Sequence, residues 1–226
     1  MKFLLLILSM FFTPTFAAEK DYLENRCDLR RVETLQKTLD LMQERGATCL
    51  VETGTQRSGY SCQNDGCSTM IFADWARDHH ALFYSVDINR EAIEKVQRLF
   101  KSEGLKNQVS FSHVGLVCSD SVPFLRNFGQ QIDMLYLDSY DIDWQNPWPS
   151  QRHHLKEITA ALPWITESTV ILIDDCGLPY RGKGGMAIEF LEKRGWVVIA
   201  EEYQALLVHE STLSHEERAT DEYQEN

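Results

Sequence analysis

The chain has 226 residues, with 22 Lys and Arg against 34 Asp and Glu, a formal net charge of −12 and a pI near 5.0. That length suits one domain of ordinary size with short tails. Hydrophobic residues make up 43%, which excludes disorder throughout, and six cysteines are too sparse for a disulfide-built mini-scaffold. Lys and Arg are outnumbered and never cluster, so no basic surface is available for nucleic acid or anionic lipid.

Residues 1–17 read as a secretory signal. Met1-Lys2 is followed by an apolar run over 3–12, broken only by Ser9, and then by small residues up to Ala17-Ala18. Cleavage after Ala17 is expected. The run is shorter than the ~20 residues of a membrane span, so no stable membrane insertion is expected after cleavage. The mature chain is then exported, to a periplasm or outside the cell; if uncleaved, it is cytoplasmic or membrane-anchored. Export would let cysteines oxidise, and Cys62 with Cys67 is the first choice for a bridge. Six ordinary thiols are the alternative.

Residues 18–45 form a polar, helix-favouring segment that stops at Gly46. A body over 46–210 alternates strands with helices. Strands are expected at 48–51, 82–86, 109–114, 132–137, 169–173, 196–200 and 206–209. Helices are expected at 70–78, from Asn89 to a stop at Gly104, at 120–128, from Pro149 or Ser150 to Leu162, and at 186–193. The loop 177–185 is Gly-rich and read as flexible. The tail 211–226 is acidic and reads as disordered. The pattern predicts an α/β fold: Rossmann-like, doubly wound, with a mostly parallel seven-stranded sheet and a terminal antiparallel hairpin. No internal repeat or linker interrupts it.

In such sheets ligands bind beyond the carboxyl ends of the strands. Four expected strands stop on acids: Glu52, Asp87, Asp138 and the pair Asp174-Asp175. Each alone reads as a cap or a solvated turn, but four in order point to a shared site. Glu52-Thr53-Gly54-Thr55 can form a tight turn, with Gly54 letting backbone approach a ligand. Gly66-Cys67-Ser68-Thr69 opens the next helix with free N–H groups. Asp87 stands where an acid accepts hydrogen bonds from ribose hydroxyls, 32 positions beyond Thr55 because of a long polar loop.

These motifs resemble the class I S-adenosylmethionine-dependent methyltransferases, in particular their small O-methyltransferase-like members. The resemblance covers about residues 48–209. It implies that Glu52, Gly54, Thr55, Gly66, Ser68, Asp87 and Asp120 bind S-adenosylmethionine, with Asp120 beside the adenine. The second glycine of the first motif is displaced here, and Gly66 is preferred to Gly59 because an apolar helix follows it. Metal-dependent members use an acid at the fourth strand end and two at the fifth. Asp138, Asp174 and Asp175 match them and would hold Mg²⁺ or another divalent cation. The resemblance implies methyl transfer to an oxygen of a small-molecule acceptor.

Asp138, His154 and Lys183 are the expected catalytic residues. His153 and His154 open one helix, where one could serve as a base, or both could be solvated. Lys183 could hold an anionic substrate group or face water. Trp144 and Trp148 suit an acceptor wall or plain packing. Asp141 could be an extra ligand or a surface charge, and Arg30-Arg31 read as solvated charge. An exported, non-catalytic binding module on the same fold is the alternative reading. A nicotinamide-dependent oxidoreductase fits less well, because no Gly-x-Gly-x-x-Gly follows the first strand.

Overall fold

The computed structural model describes residues 21–59 and 66–214. The leader, Cys62 and most of the acidic tail lie outside the described residues. Residues 21–24 are helical and precede α1 (Leu29–Glu44), β1 (Cys49–Thr53), α2 (Ser68–Asp78), β2 (Leu82–Asp87) and α3 (Arg90–Asn107). Then come β3 (Val114–Cys118), α4 (Ser121–Arg126), β4 (Ile132–Leu137), α5 (Trp148–Ala161) and β5 (Ile165–Ile173). A 3₁₀ turn (Pro179–Arg181) leads to α6 (Gly185–Glu192), β6 (Trp196–Glu201) and β7 (Ala205–His209).

One seven-stranded sheet runs β3-β2-β1-β4-β5-β7-β6. The first five strands are parallel, and β7 enters antiparallel between β5 and β6. This is the expected Rossmann-like fold with its terminal hairpin. The central strands are apolar over long runs, Met134–Leu137 in β4 and Val170–Ile173 in β5, because helices cover both faces. Successive residues feed opposite layers. Met134, Tyr136, Val170, Leu172 and Leu206 join the cluster under α1, α2 and α3. Leu135, Leu137, Ile171, Ile173 and Leu207 join the one under α4, α5 and α6. Helix α1 turns Val32, Leu35, Leu39 and Met42 inward at helical spacing. Buried hydrogen bonds pin it as well: Thr34 donates to Gln204 at 2.6 Å, and Gln204 donates to the Tyr136 hydroxyl oxygen at 3.2 Å.

Three expectations are corrected. The stretch 109–114 is not the third strand; β3 begins at Val114. Alternating Val, Ser and Phe imitates a half-buried strand, but Phe111 instead stacks on Phe100 of α3, with centroids 4.4 Å apart. The amide of Val114 donates back to Phe111 in a turn. Gly104 does not end α3, which runs on to Asn107 and closes at Gln108 with φ 56°. The loop 177–185 is pinned. Gln151 donates to the carbonyls of Tyr180 and Gly182, both at 2.8 Å, and Arg181 pairs with Glu192 and Glu201. A Cβ at Gly182 would collide with the Asp175 carbonyl.

Gly54 lines the cleft and meets a further demand beyond the one expected. Its φ is +90°, and a Cβ there would lie 2.5 Å from the Asp138 carbonyl oxygen and 2.9 Å from the Ser139 nitrogen. The glycine lets the exits of β1 and β4 cross closely. Gly54→Ala is therefore expected to cost roughly 2–4 kcal/mol, from backbone strain and overpacking together. Urea unfolding checks this; a variant as stable as the parent would contradict the crossing.

Candidate functional site

A cleft of about 810 Å³ opens beyond the carboxyl ends of β1 to β5. That is the size range of small-molecule sites, and the place is the topological switch between β1 and β4. On one side it is lined by Gly54, Thr55, Asp87 and Asp120, on the other by Asp138, Asp174, Asp175 and Lys183.

Asp87 ends β2 with its carboxylate fixed by backbone. The Thr55 amide donates to one oxygen at 2.9 Å and the Asn89 amide to the other at 2.7 Å. Each oxygen keeps a lone pair free to accept from a ligand hydroxyl. Asp120 caps α4 through the Val122 amide at 2.9 Å and borders the same half of the cleft.

Glu52, Gly66 and Ser68 do not line the cleft. Glu52 is fully buried beneath it. It accepts hydrogen bonds from Ser68 at 2.5 Å, Thr69 at 2.7 Å and Ser85 at 2.5 Å. Burial pushes its carboxyl up to about 7, against the pull of the three hydroxyls. Glu52 thus fastens the start of α2 to β1 and β2, and Ser68 is spent on that bond. Gly66 supplies a left-handed turn before α2, with φ +73°. The residue beside the cleft here is Gln56, whose side chain accepts from the Met70 amide at 2.9 Å and so caps α2.

On the other side, oxygens of Asp138, Asp174 and Asp175 come within 4.8 Å of one another. Each is held by a fixed cation. The Lys183 ammonium donates to Asp138 Oδ1 at 2.8 Å and pairs with Asp175 Oδ2 at 2.9 Å. Arg31 donates through Nε to Asp174 Oδ1 at 2.9 Å and through Nη2 to Oδ2 at 2.8 Å. The Arg31 and Lys183 side chains are 7% and 3% exposed, so neither is free to swing into water. A divalent ion would need the same oxygens. The donor set of this chain therefore does not fit a Mg²⁺ site as it stands.

The cluster splits the acidities of its members. Burial pushes Asp138 up to about 8, with Asp174 and Asp175 adding to the shift and Lys183 opposing it. Asp175 is held below the usual carboxylate range despite burial, chiefly by Lys183. Burial works against the Lys183 charge, but the three aspartates hold its pKa above the ordinary lysine value. Asp175 also sits at φ 52°, a left-handed conformation unusual for a side-chain-bearing residue at the cleft.

Of the two histidines, His153 lines the cleft and His154 is wholly buried behind it. The position shift of 100° between neighbours on a helix separates them. His154 Nδ1 faces the Lys183 carbonyl at 3.2 Å, and burial lowers its pKa, so it braces the lysine loop as a neutral ring. His153 meets Ser121 at 3.2 Å and the buried Glu157 at 3.4 Å. Trp144 and Tyr140 border the cleft, whereas Trp148 packs toward Tyr180, ring centroids 5.5 Å apart. Asp141 pairs with Arg57 at 2.8 Å on the rim.

Arg31 and Tyr203 had no distinguishing signal. Arg31 reads as solvated charge because its partner lies 143 positions away. It stacks on Tyr203, 4.4 Å from the ring centroid, and its Nη1 is buried without a hydrogen-bond partner among the described residues. Removing Arg31 would strand the Asp174 charge in the interior. Arg31→Met should cost about 3–5 kcal/mol in urea unfolding at pH 7, and adding Asp174→Asn should recover more than half. A single variant as stable as the parent would refute the clamp.

Comparisons with known proteins agree with this architecture. A family model described as a methyltransferase domain matches residues 63–176. No curated protein sequence matches the chain at a significant level. Among solved structures, NSun6 from Pyrococcus horikoshii, determined with SFG, superposes with a TM-score of 0.56 at 14% identity. That match covers 76% of this chain and 50% of NSun6, so the chain spans half of that protein's length. The O-methyltransferase NovP gives a TM-score of 0.55 at 11% identity, covering 80% of this chain and 79% of NovP. A methyltransferase from Geobacter sulfurreducens gives 0.53 at 15% identity, covering 87% and 89%. The sheet order, the cleft at its switch point and the domain match together place this chain in the methyltransferase-domain family.

Proposed function

We propose that this protein binds S-adenosylmethionine and moves its methyl group to an oxygen of a small-molecule acceptor. The observation that carries the reading is that Asp87 and Asp138 open onto one cleft, a donor half beside an acceptor half. The named O-methyltransferase NovP and the NSun6 structure with SFG support it at the level of fold. The acidic chain and a cleft of about 810 Å³ favour a small acceptor over nucleic acid.

The donor supplies an electrophilic methyl on a sulfonium centre, so the protein's work is alignment and exclusion of water. Asp87, fixed by two backbone amides, accepts from the ribose hydroxyls. Arg31 borders the cleft, and its buried Nη1, which has no hydrogen-bond partner among the described residues, is suited to the donor's carboxylate. Asp138, pushed toward neutral pH, takes the proton from the acceptor hydroxyl. Lys183 holds Asp138 in place, and its ammonium can steady the oxygen that forms. His153 borders the acceptor half and replaces His154 in that role. No step is routed through a metal ion.

Calorimetry and turnover together test this. Asp87→Ala should weaken binding of S-adenosylmethionine or its demethylated product at least tenfold, from lost charge-assisted hydrogen bonds. Asp138→Asn should bind nearly as the parent does but lower kcat about 100-fold on whichever acceptor of a phenol, enol and sugar panel turns over. No binding of either cofactor form by the parent would refute the reading. Firm binding without turnover on any acceptor would select the non-catalytic alternative.

We also propose that the mature chain works outside the cytoplasm. The N-terminal signal pattern supports this, and so does Cys67, which is disulfide-bonded. The expected partner, Cys62, lies outside the described residues. Cys27, Cys49, Cys118 and Cys176 are free, and only Cys118 is exposed. Alkylation of the native, unreduced protein should label Cys118 first and leave Cys67 unlabelled. Labelling of Cys67 without reduction would remove this support.

A further inference from the structure

The aspartates at the ends of β4 and β5 and the cations beside them point to something beyond the reading above. We propose that the Lys183 ammonium, backed by the Arg31 guanidinium, is a built-in replacement for a divalent cation at Asp138, Asp174 and Asp175. The folded protein then offers no divalent-ion site there, and removing the ammonium creates one.

Three observations carry this. The first is occupancy of the ligand atoms. Lys183 Nζ lies 2.8 Å from Asp138 Oδ1 and 2.9 Å from Asp175 Oδ2, between the strand ends an ion would bridge. Arg31 takes both oxygens of Asp174 and reaches Asp175 Oδ1 at 3.5 Å. Every carboxylate has at least one oxygen committed to a cation. The second is charge. Three aspartates carry −3 when ionised, and the two cations return +2, leaving −1 where a hard divalent ion would otherwise face −3.

The third is that the lysine is built in. Its residue is 2% exposed, and its backbone is held at both ends. The Lys183 amide donates to the Asp175 carbonyl at 3.2 Å, and its carbonyl meets His154 Nδ1 at 3.2 Å. Its neighbours cannot carry side chains. A Cβ at Gly182 would collide with Asp175, and one at Gly184 would lie 2.6 Å from Cys176 Sγ. Glycines on both sides let the chain press against the end of β5, which delivers the ammonium to the aspartates. A solvated lysine needs none of this.

Mn²⁺ binding to the full mature chain, followed by electron paramagnetic resonance, tests the proposal without any use of activity or of S-adenosylmethionine. The parent should bind no Mn²⁺ stoichiometrically at submillimolar concentration. Lys183→Ala should bind one Mn²⁺ per chain at least about tenfold more tightly, as Asp138 and Asp175 lose the ammonium that holds them. Adding Asp175→Asn should remove the gain. Lys183→Met keeps the apolar stem, so it serves if the alanine variant folds poorly, and circular dichroism reports the fold of both. A parent that takes up one tightly held Mn²⁺, lost on Asp138→Asn, overturns the proposal. So does a folded Lys183 variant with no gain in affinity. Because the readout is metal binding, failure of the methyl-transfer reading would leave the result unaffected.

Discussion

Ionised aspartates cannot be gathered at the buried end of a sheet unless opposite charge comes with them. That constraint organises this protein. Asp174 is 1% exposed at the end of β5, and such a burial is tolerable only because Arg31 from α1 meets both of its oxygens. The same contact docks α1 over β5 and β7, where Thr34 and Gln204 continue the polar seam inward to Tyr136. Tyr203, in the turn before β7, lies under the guanidinium and closes the arrangement. Helix α1 is thus part of the candidate site and not an appendage to it.

Around that seam the sheet does what a doubly wound sheet does. Parallel strands deliver their carboxyl ends to one edge, and the reversal between β1 and β4 opens a cleft there. The close crossing at Gly54 sets how near the Asp87 and Asp138 sides of the cleft stand. Glu52 works one layer below, tying α2 to β1 and β2 through three hydroxyls. The left-handed backbone at Tyr140 and Asp175 lies on the Asp138 side of the cleft, where the rest of the structure must hold it in place. Rigid support below and a polar rim above suit a site that acts by alignment.

Legibility followed the range of the physics involved. The mostly apolar runs at 132–137 and 169–173 announce strands because burial on both faces demands hydrophobicity on both, which any short window displays. Asp87 and Asp138 were legible as cleft residues because a strand's carboxyl end fixes where the next side chain goes. The stretch 109–114 misled because its alternation is a property of local order alone, and stacking of Phe111 on Phe100 overrides it.

By itself the sequence determined the alternation of strands and helices, the parallel sheet with its antiparallel end, and the row of acids at the strand exits. Those features rest on periodicity and on residues adjacent along the chain. Tertiary structure alone decided which acids face the cleft, that His153 and not His154 borders it, and that Arg31 and Lys183 stand among the aspartates. Arg31 and Asp174 are 143 positions apart, and Lys183 and Asp138 are 45 apart. Electrostatic pairing depends on distance through space, and distance through space is settled only when the helices have packed.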